Sequence, residues 1–230
     1  MIFDPLYLLF MVPAFILSLV AQGLVKSSFS KYSKVGNRRG ITGAEAARRI
    51  LDSSGLSNVR IEAAQGRGLS DHYDPRTKVL RLSPDVYGKA SLASVGVAAH
   101  EAGHALQDSR GYTPLKLRSA LVPAAQLGST LAWPLLFLGM FLGVMGMVKL
   151  GVIFFSGAVL FQVVTLPVEF NASARAMRAL EGVGILSGDE LSGARRVLSA
   201  AALTYVAAAV TAVLQLLYFL LRSGLLGGDD

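Results

Sequence analysis

Charged residues are spread so unevenly along the chain that four long apolar intervals stand out. Pro5–Val25 holds 21 residues between Asp4 and Lys26, and Ser119–Val148 holds 30 between Arg118 and Lys149. Leu150–Val168 holds 19 between Lys149 and Glu169, and Val197–Leu221 holds 25 between Arg196 and Arg222. A helix that crosses the hydrocarbon of a bilayer needs about 20 predominantly apolar residues. The intervals therefore predict four membrane helices, with spans at 5–25, 124–148, 150–168 and 201–221, rather than buried helices of a soluble bundle. As one helix the second interval would run to about 45 Å, against a hydrocarbon core of about 30 Å. Its first part is expected outside the bilayer, with Pro123 and Pro134 as the places for a kink or break. Asp4 is the only charge ahead of the first interval, and no small-residue cleavage site precedes a polar start. That interval reads as a retained anchor, not a signal peptide.

Between the apolar intervals lie two polar stretches, 26–120 and 169–198. Lys26–Gly40 reads as a basic linker. Thr42-Gly-Ala-Glu45 is a capping box, followed by Ala44, Ala47, Ile50 and Leu51 at helical spacing, with a stop near Gly55. Val59–Ile61 and Lys78–Leu82 read as short strands, with Asp74-Pro75-Arg76 supplying a turn between them. Ser91–Gln107 reads as a helix rich in small residues. Ser187-Gly-Asp-Glu190 is a second capping box, opening a helix that runs through Arg195 and Arg196 into the fourth span. The expected fold is mainly α: one domain over 1–230, with about four membrane helices and a small α+β element.

Composition sharpens this picture at three points. Hydrophobic residues make up 53% of the 230 and charged ones only 16%, below the roughly 25% of soluble domains. The net charge is +7, but 20 of the 22 Lys and Arg residues fall in the two polar stretches. By the positive-inside rule those stretches are cytoplasmic, and the turn at Lys149 and the tail Ser223–Asp230 lie outside. The basic excess is thus explained by topology and the lipid bilayer, without nucleic acid. There is no cysteine, which excludes disulfide frameworks and thiolate zinc sites.

Two of the three histidines fall in His100-Glu101-Ala102-Gly103-His104. On a helix, positions i and i+4 share one face, so both imidazoles reach one Zn²⁺, one ion per chain. Glu101 then stands close enough to a zinc-activated water to take its proton. A catalytic zinc needs a third protein ligand. An extended motif with a further histidine fails, because Arg110 occupies that place. The remaining donors are His72 or a carboxylate. Glu169, the first charge after the third span and on the cytoplasmic side, is best placed, and Glu181 and Asp189 are rivals. His72, Arg175 and Tyr205 are candidates for contact with substrate or the oxyanion of a tetrahedral intermediate. The Lys78–Leu82 strand, read as an edge beside the site, is a candidate for pairing with an extended peptide.

Four segments carry a family resemblance: Gly68-Leu-Ser-Asp-His-Tyr-Asp-Pro-Arg76, Ala99-His-Glu-Ala-Gly-His-Ala-Leu-Gln107, Leu166-Pro-Val-Glu-Phe-Asn-Ala-Ser173 and Ala201-Ala-Leu-Thr-Tyr-Val206. They resemble the bacterial membrane-bound neutral zinc metallopeptidases of the YugP-like family, in the expected order from about Leu6 to Leu221. The resemblance implies a gluzincin site with two helix histidines and a downstream glutamate, here Glu169. Together with the charge-derived topology, this gives an inner-membrane peptidase acting on peptides or membrane proteins, with its active site expected on the cytoplasmic side. A more distant similarity, to membrane gluzincins of the heat-shock and prenyl-protein-processing type, fails at one point. Those carry Asp four residues after the ligand glutamate, where this chain has Ser173. A carboxylate behind a zinc histidine must then come from elsewhere, and Asp108, Asp71 and Asp74 are candidates. The rival readings are a membrane scaffold or chaperone with structural zinc, and a zinc hydrolase of non-peptide amides.

Overall fold

The structure is a computed structural model that describes residues 4–64 and 70–225. Gly68 and Leu69, which open the first resemblance segment, and the tail after residue 225 lie outside the described residues. The elements follow the order α1 (Pro5–Tyr32), α2 (Gly43–Ser53), β1 (Arg60–Ala63), β2 (His72–Asp74), β3 (Val79–Leu82), α3 (Pro84–Gly88), α4 (Leu92–Ser109), α5 (Thr113–Leu142), α6 (Met145–Gly182) and α7 (Gly188–Arg222). Helices α1, α5, α6 and α7 are long and apolar enough to cross a membrane.

The chain divides into two compact units. One comprises Met1–Ala21, Lys116–Pro167 and Thr204–Asp230; the other comprises Gln22–Leu115 and Val168–Leu203. In the first unit, Leu136, Val148, Val152, Phe155 and Phe219 form a buried cluster, and Trp133 packs against Phe155 and Phe219. Gly128 and Gly139 allow α5 and α6 to approach closely. A Cβ at Gly128 would meet the Phe154 carbonyl at 2.4 Å, and one at Gly139 would meet the Val148 nitrogen at 2.8 Å. Small residues at such crossings are how helices pack where lipid removes the hydrophobic drive. The outward side chains of this unit are apolar as well: Leu9, Phe15, Phe141 and Ile153 are all more than 60% exposed.

Several boundaries depart from expectation. Helix α1 continues seven residues past Val25 to Tyr32, so Lys26–Tyr32 is helix, not linker; Lys31 in its last turn complements the helix dipole. Pro123 and Pro134 both lie inside one helix, α5, rather than ending it. The α5–α6 turn falls at Gly143–Val144 and not at Lys149. Gly143 takes φ +67°, the left-handed conformation that ends a helix and that only glycine adopts without strain. Lys149 then lies in the early turns of α6.

In the second unit the Thr42 capping box is closed in both directions. Thr42 Oγ1 accepts from the Glu45 N–H, and Glu45 accepts from the Thr42 N–H at 2.8 Å. Glu190, expected to close the other box, is instead buried and accepts the Arg38 backbone N–H at 2.7 Å. The sheet has the order β1-β3-β2, with β1 parallel and β2 antiparallel to β3. The Asp74–Arg76 turn therefore joins β2 to β3, while the two strands read from the sequence are parallel neighbours. Strand β3 is central and almost wholly buried. It has no free edge for a peptide; the edges are β1 and β2. The core of this unit gathers Ile50 and Leu51 of α2, Leu80 and Leu82 of β3, Val95, Ala98, Ala99 and Ala102 of α4, and Ala176 and Leu180 of α6. Helix α4 is enclosed by this core, which sets the side chains of its motif.

Candidate metal centre

Helix α4 starts on Ser91, whose hydroxyl accepts the Ser94 N–H at 3.1 Å. Small side chains let neighbouring backbone come close along its length. At Gly103, within the histidine motif, a Cβ would stand 2.5 Å from the Ala172 carbonyl oxygen of α6. That approach sets the His100 and His104 face of α4 beside Glu169, one turn before Ser173 on α6.

The three side chains converge. Glu169 Oε2 lies 3.1 Å from His100 Nε2 and 3.6 Å from His104 Nε2. One ligand atom of each residue lies within 4.8 Å of the other two, and among the described residues this is the cluster able to hold a metal. In a tetrahedral zinc site with bonds of about 2.0–2.1 Å, neighbouring donors stand about 3.4 Å apart. The two measured separations bracket that edge, and two imidazoles with a carboxylate are the donor set zinc favours when thiolates are absent. The residues fit the ion.

The far nitrogens of both rings are engaged. His100 Nδ1 lies 3.1 Å from Ser173 Oγ, and His104 Nδ1 lies 3.0 Å from Gln107 Oε1. Gln107 is fully buried, and its amide nitrogen donates to Val168 O at 2.8 Å and to Asn171 Oδ1 at 3.1 Å. Arg175 Nε donates to the same Asn171 oxygen at 2.6 Å. Both rings are thereby aimed, a role usually played by a carboxylate or carbonyl partner.

The expected aspartates do other work. Asp108 accepts from the Tyr73 hydroxyl at 2.7 Å and from Lys78. Asp71 accepts from the Ser83 N–H and hydroxyl. Asp74 caps its own turn through Arg76 and Thr77. Gln107 and Ser173 were not singled out as ring partners from the sequence. Helical spacing carried the signal for Gln107, which follows His104 by three residues, whereas Ser173 meets His100 across two helices.

Glu101 is buried beside the histidines. Burial works against the imidazolium of His104, but the hydrogen bond to Glu169, the charges of Glu101 and Glu169 and the Gln107 contact outweigh it, raising its pKa. A proton and a dication compete for the same Nε2 position. Burial, with the Glu101 charge adding to it, also pushes the Asp71 carboxyl above its ordinary value, against hydrogen bonds from Ser83.

The remaining candidates are placed as follows. His72 is exposed on edge strand β2, its Nδ1 2.8 Å from Ser70 O and its Nε2 3.4 Å from Arg81. It is not part of the three-residue cluster. Arg175 lies on α6, half-buried, over the Tyr112 ring at 5.7 Å. Tyr205 is half-buried on α7 and belongs to the other compact unit. Glu181 and Asp189 are exposed.

Residues 7–224 match the family described as "putative neutral zinc metallopeptidase". The chain is 50% identical over 217 residues, 94% of its own length and 96% of the other's, to the "putative membrane protease YugP" of Bacillus subtilis (strain 168). No solved structure matches the chain.

Proposed function

This chain belongs to the neutral zinc metallopeptidase family, and from that premise we propose that it is an integral membrane zinc endopeptidase of the bacterial inner membrane, with its site on the cytoplasmic face. The observation that carries the proposal is the meeting of His100, His104 and Glu169 around one point, with Glu101 next to His100. The first three would hold one Zn²⁺. When bound, zinc supplies Lewis acidity that makes a water nucleophilic near neutral pH.

The chain's own groups do the rest. Glu101 takes a proton from the attacking water as its oxygen adds to the peptide carbonyl carbon. As the C–N bond breaks, Glu101 passes that proton to the departing amine. Ser173 and Gln107 keep the two rings oriented throughout. The relative's name speaks for a membrane protease, and the four long apolar helices support the same setting. The 20 of 22 cations in the polar stretches support a cytoplasmic site.

The test is Glu101→Gln in the full-length protein, with zinc per chain and cleavage of a casein-type or membrane-protein substrate both measured. Zinc is retained, and turnover falls by about 10²–10⁴. Zinc without turnover in the parent protein would instead mark a scaffold. Undiminished turnover in the variant would remove Glu101 from the chemistry.

A further inference from the structure

A cavity lies in the same unit, and of the arginines that line it only Arg175 is tied to the metal centre, through Asn171. It has a volume of about 610 Å³. Arg110 from the end of α4 and Arg175 and Arg178 from α6 line it, with Ser53 and Ser54 at the end of α2 and an apolar part of the wall that includes Leu106 and Val183. Among the described residues none of the three arginines forms an ion pair. The pairs of this unit engage Arg48, Arg60, Lys78, Arg81 and Lys89.

Arg110 and Arg178 both stand close enough to Arg175 to act on it. After burial, the causes that lower the Arg175 pKa are the charges of Arg110 and Arg178. Three uncompensated like charges around one cavity repel, and a bound anion relieves that repulsion. Arg175 is also held in place beforehand. Its Nε is fixed on Asn171 at 2.6 Å and its Cζ lies over the Tyr112 ring, which leaves its terminal nitrogens for a ligand. A side chain so immobilised loses little freedom on binding.

We propose that this cavity is a binding site for a phosphate group, held by Arg110, Arg175 and Arg178. A carboxylate matches a single guanidinium fork, whereas three forks on one cavity match a group that offers several oxygens and up to two negative charges. Two sources supply that chemistry: free phosphate, and the headgroup of an anionic phospholipid. Arg110 shortly precedes the second apolar interval, and Arg175 and Arg178 shortly follow the third, positions in sequence where basic residues meet headgroups. The site does not depend on peptide hydrolysis or on zinc.

The test uses full-length protein, with and without zinc, and the pair R110Q/R178Q; both positions are exposed. In one arm inorganic phosphate is titrated calorimetrically into protein in an uncharged detergent. In the other, protein is reconstituted in phosphatidylcholine vesicles containing phosphatidylglycerol. The phosphatidylglycerol retained after extraction is then counted by native mass spectrometry. Saturable heat that weakens about tenfold or more in the double variant assigns free phosphate. Retained lipid that the variant loses, without such heat, assigns the headgroup. Either result comes out the same with and without zinc. If R110Q/R178Q does not fold, R110K/R178K keeps the charge without the planar fork, and an intermediate weakening is expected. Binding that is the same in a folded variant as in the parent, in both arms, overturns the proposal.

Discussion

His104 Nδ1 and Gln107 Oε1 lie 3.0 Å apart within a buried stretch of α4, and this contact decides which nitrogen of the ring faces a metal. The Gln107 amide nitrogen is committed to Val168 O and Asn171 Oδ1, so its oxygen is what the ring meets. An amide oxygen only accepts, which places the ring proton on Nδ1 and turns the Nε2 lone pair toward Glu169. Arg175 steadies the far end of this chain through Asn171. The metal ligand is therefore oriented by an uncharged amide.

Gln107→Leu removes the acceptor at similar bulk. Zinc affinity, read by competition with a chelating dye, is expected to fall about 10- to 100-fold, and Gln107→Glu, which restores an acceptor, to recover part of the loss. An unchanged affinity in a folded Gln107→Leu protein would mean that the ring is oriented by packing alone.

Gly103 and Gly96 make a paired test of helix approach. A Cβ at Gly103 would meet the Ala172 backbone oxygen at 2.5 Å, while one at Gly96 would meet the Ala194 Cβ at 3.4 Å. Backbone cannot swing aside as a side chain does, so Gly103→Ala forces α4 and α6 apart. Overpacking of this kind destabilises by about 1–3 kcal/mol, and here it also spreads the ligands. Thermal unfolding and zinc content should both fall for Gly103→Ala and stay near parental values for Gly96→Ala.

What could be read in the sequence was whatever rests on spacing along one element. The i, i+4 histidines mark a shared face, Thr42 and Glu45 mark a helix start, and the long apolar runs mark helices that lipid can surround. Glu169 could be picked out because charge is so scarce near it. What could not be read depends on contacts between elements. Ser173 is uncharged and common, and only the 2.5 Å approach at Gly103 shows that it faces His100. The parallel pairing of β1 with β3 needs a crossover through β2, a strand of three residues with no alternation to announce it. The turn at Gly143 was hidden by Lys149: a charge in an apolar run looks like a loop, whereas the chain reverses where a glycine can take positive φ.

Tyr73 provides the pH prediction. Its hydroxyl donates to Asp108 at 2.7 Å, tying β2 to the last turn of α4. Burial first, and then the hydrogen bond to Asp108 and its charge, raise the phenol pKa above its ordinary value of 10.0. A pKa raised by folding means that the native state holds the proton more tightly than the unfolded chain. The contribution is complete below pH 10 and declines as the pH climbs from there toward the folded-state value. Denaturant unfolding of the parent should therefore lose stability on the alkaline side, and Tyr73→Phe should flatten that limb. At neutral pH the same substitution lowers stability by about 1–3 kcal/mol, because it leaves Asp108 short of one donor.

Removal of the metal separates the two candidates for the third ligand. Glu169 is 2% exposed and shares its Oε2 with both histidines, whereas His72 is exposed on β2 and engaged with Ser70 and Arg81. If Glu169 completes the site, Glu169→Ala carries much less than one zinc per chain by elemental analysis, and His72→Ala carries the parental amount. Stability gives an independent reading. A ligand that binds only the folded state raises the unfolding temperature by mass action, so a chelator should lower it for the parent and for His72→Ala but leave Glu169→Ala where it was. The opposite pattern, with full zinc in Glu169→Ala and a chelator-insensitive His72→Ala, would transfer the ligand role to His72. That outcome would also require β2 to move, since His72 stands outside the cluster of His100, His104 and Glu169.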